Sequence, residues 1–406
     1  MNRLLQPFVL VVTALLTAAY AYVAIRLLLG VWGRGVLAIP FLLIWIVPVF
    51  YWTRENNGEG SWLDRVVHQA SYLSMAWVSF LVVLTLVRDF TLLVTAALGT
   101  RTVHALVAHA GIPVVLLGSL VATVMGAFTA LRGPRVKEVE IRVPDLHPDL
   151  DDLRIVQISD LHIGHNIRHA YVERVVEIAR GLGPDLIALT GDMVDGPVAE
   201  LAPHVAPLAA LTESGHAYFV LGNHDCYSGA PAWIAHFREL GIRVLLNEHA
   251  VFRKGAATLI IGGIVDPAYR VCRPEISLED VPNADFRLFL AHNPKLAPLG
   301  ASAGFDLQLS GHTHAGQFFP WTLVVHLVHA PHVTGLSLEG RMWVYVSAGT
   351  GTWGPPVRFG TNPEITLIKL ARVSSTSFHS AEYTRYRSMR SSFLALRIKP
   401  RNREVA

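Results

Sequence analysis

Four long apolar stretches occupy the first third of the chain and limit what it can fold into. None of them contains a charged residue, and each is about as long as a helix that crosses a bilayer, which takes about 20 residues. They lie at Pro7–Ile25, Gly35–Thr53, Val66–Val87 and within Thr102–Leu131. A fifth apolar segment, Phe90–Thr100, ends too soon at Arg101 to cross, so we expect it to lie at the interface or to extend a neighbouring helix. Residues 1–136 are therefore predicted to form an all-α transmembrane anchor of about four helices.

The basic residues between the stretches indicate the orientation of the chain. With the N-terminus inside, six of them fall on inner segments and four on outer loops. Because Lys and Arg accumulate on the cytoplasmic side, this slim majority predicts a multi-pass protein of the cell membrane whose C-terminal part is cytoplasmic. The first stretch ends in a possible signal-peptidase site after Ala21, and cleavage there would leave the other spans oriented the same way.

The net charge of +3 is a sum over three unlike parts. Residues 1–136 carry 9 basic and 4 acidic residues (+5), residues 137–371 carry 17 and 25 (−8), and residues 372–406 carry 8 and 2 (+6). The last part is rich in Ser and Arg, which predicts a disordered tail, although its charge would also suit adsorption on anionic lipid headgroups. Nucleic acid is not expected as a partner, because the large middle part is acidic. Two cysteines, Cys226 and Cys272, give no disulfide framework and fit a reducing compartment.

From Lys137 onward the hydrophobic period changes. Val139, Ile141 and Val143 alternate with charged residues as in a half-buried strand, and short apolar runs then alternate with helical patterns. The pattern predicts one α/β domain over residues 137–371. Its strand candidates are Leu153–Ser159, Leu186–Thr190, Ala217–Leu221, Thr258–Ile264, Phe286–Ala291, Phe305–Ser310, Met342–Ser347 and Glu364–Leu370, and its helix candidates are His169–Leu182, Ala199–Thr212 and Ala232–Leu240.

Polar side chains follow five of these strands at the point where each strand ends. The segments are Asp160-Leu161-His162, Gly191-Asp192, Gly222-Asn223-His224-Asp225, His292-Asn293 and Gly311-His312-Thr313-His314. In open α/β sheets, ligands gather outside the carboxyl ends of the strands, so these side chains could meet in one pocket. Asp160/His162 and His312/His314 are spaced i, i+2, which in an extended backbone directs both side chains of a pair to the same side.

These segments supply carboxylate, imidazole and amide groups and no thiolate. That set suits Mn²⁺, Fe or Zn²⁺ in a reactive site more than a structural zinc cage. Seven such ligands are too many for one open catalytic ion, whereas two ions that share a bridging carboxylate account for the number. The sequence therefore predicts two divalent metal ions.

The ordered series DxH, GD, GNHD, H and GHTH resembles that of the calcineurin-like metallophosphoesterases. A later stretch, Ser347–Gly351 with Pro355, Arg358 and Pro363-Glu364-Ile365, is similar to the ending of a membrane-associated subgroup that includes UDP-diacylglucosamine pyrophosphatases. The resemblance implies a metallophosphoesterase β-sandwich flanked by helices, a four-layer αββα arrangement. It also implies a metal-dependent phosphoric ester hydrolase.

The same resemblance implies a role for each residue of the series. Asp160, His162, Asp192 and His314 would hold one metal, and Asp192, Asn223, His292 and His312 the other, with Asp192 bridging. His224 would protonate the leaving oxygen or stabilise charge on the phosphoryl group, and Asp225 would orient its imidazole. The substrate would be a phosphorylated small molecule or a lipid-linked one. The alternative is a non-catalytic membrane sensor or scaffold that binds a phosphorylated ligand; retention of His224 speaks against it, because a binding module needs no acid.

Several residues near the series allow more than one interpretation. Asp195 and His165 could touch the substrate or the ligands, or could equally be a cap and a solvent-exposed side chain, while Cys226 is expected to be a small buried residue. His326, His329 and His332 are spaced i, i+3, i+6, but Pro331 interrupts a helix there and no carboxylate accompanies them. A lid or substrate rim is a better expectation for this region than a second metal site, with apolar surface from Phe318, Phe319, Pro320 and Trp321.

Overall fold

The structure, a computed structural model, describes residues 7–27, 30–46, 62–213 and 215–374, beginning with four apolar helices. The helices are α1 Pro7–Arg26, α2 Val31–Ile46, α3 Trp62–Ala97 and α4 Arg101–Leu131. By length and composition α1, α3 and α4 can cross a membrane, whereas α2, with 16 residues, is shorter. The predicted end of the second stretch, Thr53, lies outside the described residues. Phe90–Thr100 extends a neighbouring helix, because α3 continues to Ala97.

The anchor helices pack through apolar side chains and neutralise the charges that they enclose. Val23 of α1, Phe41 of α2 and Leu81 of α3 are buried in one cluster. Asp89, inside α3, accepts hydrogen bonds from Arg26 Nη2 at 2.8 Å and from Tyr22 Oη at 2.8 Å. Charged side chains in a membrane segment are costly unless they are paired, so these contacts tie α1 to α3.

Two six-stranded mixed sheets form the remainder of the described chain. Their orders are β1-β12-β2-β3-β4-β5 and β10-β11-β9-β8-β7-β6. Each contains four consecutive parallel strands, β2 to β5 in the first and β11, β9, β8 and β7 in the second. The strands are β1 Arg135–Pro144, β2 Arg154–Ile158, β3 Leu186–Leu189, β4 Ala217–Phe219, β5 Arg243–Val244, β6 Glu248–Lys254, β7 Ala257–Gly263, β8 Phe286–Leu290, β9 Leu307–Ser310, β10 Gly335–Glu339, β11 Met342–Val346 and β12 Glu364–Val373.

The inner strands of both sheets are buried on both faces, which explains why these strands are almost continuously apolar. Ile155 of β2 points into the core between the sheets with Leu259 and Leu288. Its neighbour Val156 points the other way, against the helices that cover the first sheet. α9 covers the second sheet, where Ala297 packs with Phe289. The predicted helix-flanked β-sandwich is therefore confirmed. The helices of this part are α5 His169–Gly181, α6 Val198–Val205, α7 Asn223–Tyr227, α8 Ala230–Glu239, α9 Ala297–Ala303 and α10 Trp321–His329.

Some elements differ from those predicted. The expected helix Ala199–Thr212 is α6 followed by 3₁₀ turns, because Pro207 has no N–H to continue the α-helical hydrogen bonds. Strands β5, β6 and β10 were not expected; in β6 only Ala250 and Phe252 are buried, so its pattern is weak. β12 runs two residues into the predicted tail, residues 372–406, because it pairs with β1 as far as Val373. The rest of that tail, from residue 375, lies outside the described residues.

The anchor joins the sandwich at one particular edge. β12 is antiparallel to β2 and β1 is parallel to β12, so β1 begins at the edge where β2 ends. The chain therefore leaves α4 and enters the sandwich beside the first ligand segment. Phe80 of α3 packs there against Phe318 and Phe359, with ring centroids 5.7 and 5.3 Å away.

Candidate metal centre

The ligand segments leave their strands through sharp turns. Asp160, Asp192 and His312 have φ angles of 52°, 53° and 72°, in the left-handed region that residues other than glycine seldom adopt. Strained backbone of this kind persists where neighbouring structure holds it, and it is common at functional sites. Here the turns hold one another: the Asp160 N–H donates to Gly191 O at 3.0 Å, and the His162 N–H donates to Asp192 O at 3.0 Å.

Glycines let two of these turns approach closely. A Cβ on Gly222 would lie 2.1 Å from Asp192 Oδ1, and one on Gly311 would lie 2.0 Å from Asp160 Oδ2. Only glycine leaves room for a carboxylate at these two places, which is why the ligand motifs contain glycine there.

The first group of ligands comprises Asp160, His162 and His314. His162 Nε2 lies 3.0 Å from His314 Nε2, and His314 Nε2 lies 3.4 Å from Asp160 Oδ1. All three side chains are buried. Three ligand atoms from two different turns therefore converge on one point that could hold a metal ion.

The second group comprises Asp192, His292 and His312. Asp192 Oδ2 lies 3.1 Å from His292 Nε2, and His292 Nε2 lies 3.2 Å from His312 Nδ1. Asp192 Oδ2 also lies 3.8 Å from His162 Nε2, so this carboxylate lies between the two groups. These three residues likewise could hold a metal ion.

Asn223 supports the fit of the site to metal. Its Oδ1 atom is buried and has no hydrogen-bond partner among the described residues. A buried carbonyl oxygen without a partner is costly, and a cation is one group that satisfies it. The next residue, His224, donates its backbone N–H to Asp192 Oδ1 at 2.8 Å, which places Asn223 beside the second group. The oxygen and nitrogen donors, with no thiolate, suit the divalent ions expected from the sequence.

Neighbouring groups fix which nitrogen of each imidazole faces the ligands. His292 Nδ1 donates to Thr190 O at 2.8 Å, and His162 Nδ1 lies 3.0 Å from both oxygens of Asp195. Each contact leaves Nε2 directed at the carboxylates. Such supporting hydrogen bonds orient metal-binding histidines and increase their basicity.

Neighbouring charges raise the pKa of two imidazoles of the cluster, and burial lowers the pKa of a third. Burial opposes the charged form of His292 and His162, but Asp192 raises the pKa of His292 to about 10 and Asp195 raises the pKa of His162 to about 9. Burial, together with the charge of His292, lowers the pKa of His312 to about 3. Burial would raise the pKa of Asp192, but His292 and His162 hold it below its usual value. In the metal-free site, the positive charges of protonated His162 and His292 offset negative charge on the buried carboxylates.

Asp195 is the residue that contacts the His224 imidazole. Its Oδ1 lies 2.8 Å from His224 Nδ1, so one carboxylate holds the rings of both His162 and His224. The expectation that Asp225 orients His224 is therefore wrong. Asp225 instead accepts hydrogen bonds from the backbone N–H groups of Gly222, Asp192, Met193 and Val194, at 2.8 to 3.2 Å. Because the Asp225 carboxylate accepts from backbone N–H groups of both turns, it joins the turn of Asp192 to the turn of Gly222.

Arg358 supports the turn that carries His314. The sequence indicated this residue only as part of the later stretch that begins at Ser347. Its side chain is fully buried, and burial lowers its pKa to about 10. Nη1 donates to His314 O at 3.0 Å and Ala348 O at 2.7 Å, while Nη2 lies 3.1 Å from His314 Nδ1. The guanidinium thus supports the turn that carries His314.

The remaining histidines near the series are dispersed. His165 stacks on His68 of the anchor at 4.2 Å between ring centroids. His329, on α10, lies 5.2 Å from the His312 ring, whereas His332 contacts Glu339 at 2.9 Å and Ser337 at 2.8 Å. Among the described residues His326, His329 and His332 form no metal-binding group. The expectation that no carboxylate accompanies them is wrong, since Glu339 lies beside His332.

Comparison with known proteins gives a consistent picture. The family model described as Calcineurin-like phosphoesterase matches residues 153–316, which include every ligand segment. A Danio rerio protein named "Transmembrane protein with metallophosphoesterase domain" is 35% identical over 269 residues, 63% of this chain and 61% of that protein. Metallophosphoesterases of Aquifex aeolicus (31% identical, 62% of this chain, 97% of that protein) and Bacillus subtilis (32%, 58% and 90%) are also similar. The chain spans about three fifths of the length of the Danio rerio and Bos taurus relatives.

Proposed function

Because the chain belongs to the calcineurin-like phosphoesterase family, we propose that it hydrolyses a phosphoester or pyrophosphate bond at a dinuclear metal centre held near a bilayer. One observation carries the proposal: the Asp192 carboxylate lies between two groups of ligands, 3.1 Å from His292 and 3.8 Å from His162. A carboxylate in that position is suited to bridge two ions.

The proposed ligands are those of the motif series. Asp160, His162, Asp192 and His314 would hold one ion, and Asp192, Asn223, His292 and His312 the other. When bound, two divalent ions such as Mn²⁺, Fe or Zn²⁺ neutralise phosphoryl charge and lower the pKa of a bound water. The chain supplies the orientation: the Asp195 and Thr190 contacts keep the Nε2 atoms of His162 and His292 directed into the site.

His224 is the proposed acid. Its Nδ1 is held by Asp195, so Nε2 is left to donate a proton to the leaving oxygen. The exposed side chain of Trp353 packs edge-on beside this ring, with centroids 5.5 Å apart. Together the two side chains form one wall of the proposed substrate site.

We place the substrate in the cytoplasm or at the inner leaflet. The positive residues of the predicted inner segments support this orientation. The contacts of the anchor support a lipid-linked substrate: α3 touches both loops that flank the ligands, through His68 on His165 and Phe80 on Phe359.

Hydrolysis of a chromogenic phosphodiester tests the proposal. The full-length chain in detergent is stripped of metal, and turnover of bis(p-nitrophenyl) phosphate is measured before and after Mn²⁺ is restored. Turnover should require Mn²⁺, and His224→Gln should lower it about 100-fold or more, because loss of a positioned acid removes that much. The matched control is His169→Gln, a half-exposed histidine at the start of α5. Tight binding of the ester with no product under any metal would favour the sensor instead.

A further inference from the structure

Helix α10 presents an apolar surface that nothing in the described chain covers. Its nine residues, Trp321–His329, include no charged side chain, and none of them is buried. Leu327 is 87% exposed, and Leu323 and Val328 are more than half exposed. A helix that faces water on one side normally carries polar or charged residues there, so α10 is unsuited to contact with water alone.

The start of α10 is fixed to the membrane anchor. Phe318, three residues before the helix, is buried with Phe80 and Ala76 of α3 and with Ala122 of α4. Phe80 lies inside the uncharged stretch Val66–Val87, which is predicted to cross the bilayer. Since α3 rises about 1.5 Å per residue, Phe80 lies about 21 Å along the helix from Val66, the predicted inner end of the stretch, and about 12 Å from Arg88. The chain therefore enters α10 from a point within the depth of the apolar spans.

The other end of α10 reaches the metal centre. The His329 ring lies 5.2 Å from that of His312, and its buried Nδ1 has no hydrogen-bond partner among the described residues. The turn that follows His314 also packs closely on the start of the helix, because a Cβ on Gly316 would lie 2.4 Å from Thr322 Cα. One helix thus touches the site with one side and exposes leucine and valine on the other.

We propose that α10 lies against the lipid of the bilayer that holds the anchor, and that it borders the opening through which the phosphoester of a membrane lipid reaches the metals. The occupant of its exposed face is the lipid itself, because the helix begins three residues after Phe318, which packs on α3 and α4, and α4 exposes apolar side chains such as Leu120 and Val124. An uncharged helix beside an apolar span is attracted to acyl chains rather than to an acidic or basic protein partner. The substrate class rests on the proposed phosphoesterase function; the placement of the helix does not.

The depth of α10 can be measured without any activity. Leu327→Cys is labelled with a polarity-sensitive fluorophore in phosphatidylcholine vesicles, and the chain with only its natural Cys226 and Cys272 gives the background. The control is Ala256→Cys, an exposed position in the turn between β6 and β7, at the sheet edge opposite the ligands. The label at 327 should emit at shorter wavelength and be quenched by nitroxide lipids, and the label at 256 by aqueous iodide. Quenching of the 327 label by iodide and not by nitroxide lipids would overturn the proposal.

The route of the substrate can be measured with two matched esters. One is a p-nitrophenyl phosphodiester with a hexadecyl chain, dissolved in the vesicles, and the other carries a methyl group and stays in water. Leu327→Glu should lower the ratio of the vesicle rate to the water rate about tenfold, an effect of about 1.4 kcal/mol. Ala256→Glu should leave the ratio unchanged.

The outcomes of the two experiments separate the two proposals. An unchanged ratio in Leu327→Glu would overturn entry of the substrate along α10. Failure to hydrolyse either ester would overturn the phosphoesterase function and the substrate class with it, while the fluorescent label would still decide where the helix lies.

Discussion

At the scale of single residues, Asp195 determines the geometry of two imidazoles. Its carboxylate lies 3.0 Å from His162 Nδ1 and 2.8 Å from His224 Nδ1. One of these rings is a proposed metal ligand and the other the proposed acid. Although burial would raise it, the two imidazoles hold the pKa of Asp195 below its usual value, so the carboxylate stays ionised. A single negative charge therefore couples metal binding to proton donation.

Replacing the charged Asp195 carboxylate should impair both metal binding and proton donation. We expect Asp195→Asn to lower kcat about 10- to 100-fold, because a group that supports a metal ligand typically contributes that much. The KM for a small soluble ester should change little, since both oxygens of Asp195 contact the imidazoles of His162 and His224. Steady-state kinetics and metal content measure the effect. Asp306→Asn, which removes a half-buried carboxylate that accepts from the Arg287 backbone N–H, is the matched control. Equal loss in both variants would contradict a specific role for Asp195.

Metal binding should release protons. In the metal-free chain the pKa values of His162 and His292 are raised to about 9 and about 10, so both rings are protonated at pH 7. A metal binds the neutral imidazole, so Mn²⁺ should displace about two protons per chain at pH 7, and its apparent affinity should rise with pH up to about 10. Calorimetric titration in buffers of different ionisation enthalpy counts these protons.

The same shifts have a consequence for the stability of the metal-free chain. Because the folded pKa values exceed the unfolded value of about 6.5, the stabilisation is complete below that pH and is lost as the pH rises through 9 to 10.

Mn²⁺ binding that releases no protons at pH 7, and an Mn²⁺ affinity that is independent of pH, would contradict the raised pKa values of His162 and His292.

The residues that meet in the site could be predicted from the sequence. The hydrogen bonds that hold these residues in place could be predicted less well. Six of the proposed ligands converge because each follows a strand that ends at one edge of a sheet, and strand ends can be recognised from sequence. Which imidazole a carboxylate reaches depends instead on turn geometry. Asp195 and Asp225 both follow ligand turns, and the sequence does not show that Asp225 accepts from backbone N–H groups while Asp195 contacts the two histidines.

At the scale of secondary-structure elements, the contact between α4 and the loop before β12 links the anchor to the site. The Arg358 N–H donates to Gly126 O at 2.9 Å, and the Arg358 side chain supports His314. Gly126 permits this contact because a Cβ there would lie 2.5 Å from Val357 Cγ1. A membrane helix therefore helps to position a residue that holds a ligand turn.

A methyl group at this contact should disturb the site from a distance. We expect Gly126→Ala to destabilise the packing by about 1–3 kcal/mol, the usual cost of overpacking, and to lower turnover several-fold through Arg358. Gly118→Ala in the same helix is the control, since its Cβ would meet Leu84 at an ordinary 3.4 Å. Turnover and thermal unfolding of both variants in detergent make the comparison. Identical behaviour of the two variants would show that the anchor does not position the site.

Element prediction succeeded where burial is complete and failed where it is partial. The inner strands are apolar on both faces and can be recognised as short hydrophobic runs. β6 and β10 are edge strands that are only partly buried, so their patterns resemble those of loops. α10 ends at His329, just before Pro331, so the proline terminates the helix rather than excluding it.

At the scale of the whole molecule, the negative charge of the chain lies in the part that carries the proposed metal site. The middle part, with a charge of −8, contains Asp160 and Asp192, which two divalent ions would offset. The formal charge therefore overstates how negative the site is once metals are bound. The apolar helices join the sandwich at the edge that carries these residues, so the site lies on the side of the molecule where the helices meet the sheets.

Sequence alone indicated the anchor and the sandwich as separate parts, but it could not indicate how they meet. The stacking of His68 on His165 and the packing of Phe80 on Phe318 join residues about 100 and 240 positions apart. No periodicity connects such positions. The direction of β1 relative to β2, which brings the membrane to the ligand edge, follows from strand pairing in three dimensions.

The central claim is that a carboxylate shared by two metal ions makes this membrane protein a phosphoesterase. The most direct test measures bound Mn²⁺ per chain and turnover of bis(p-nitrophenyl) phosphate on the same full-length samples, for the unsubstituted chain and for Asp192→Asn. We expect two ions per chain with turnover that follows the second ion, and in Asp192→Asn fewer ions and turnover lowered about 1,000-fold. Full turnover in Asp192→Asn, or in a chain that binds a single ion, would contradict the claim.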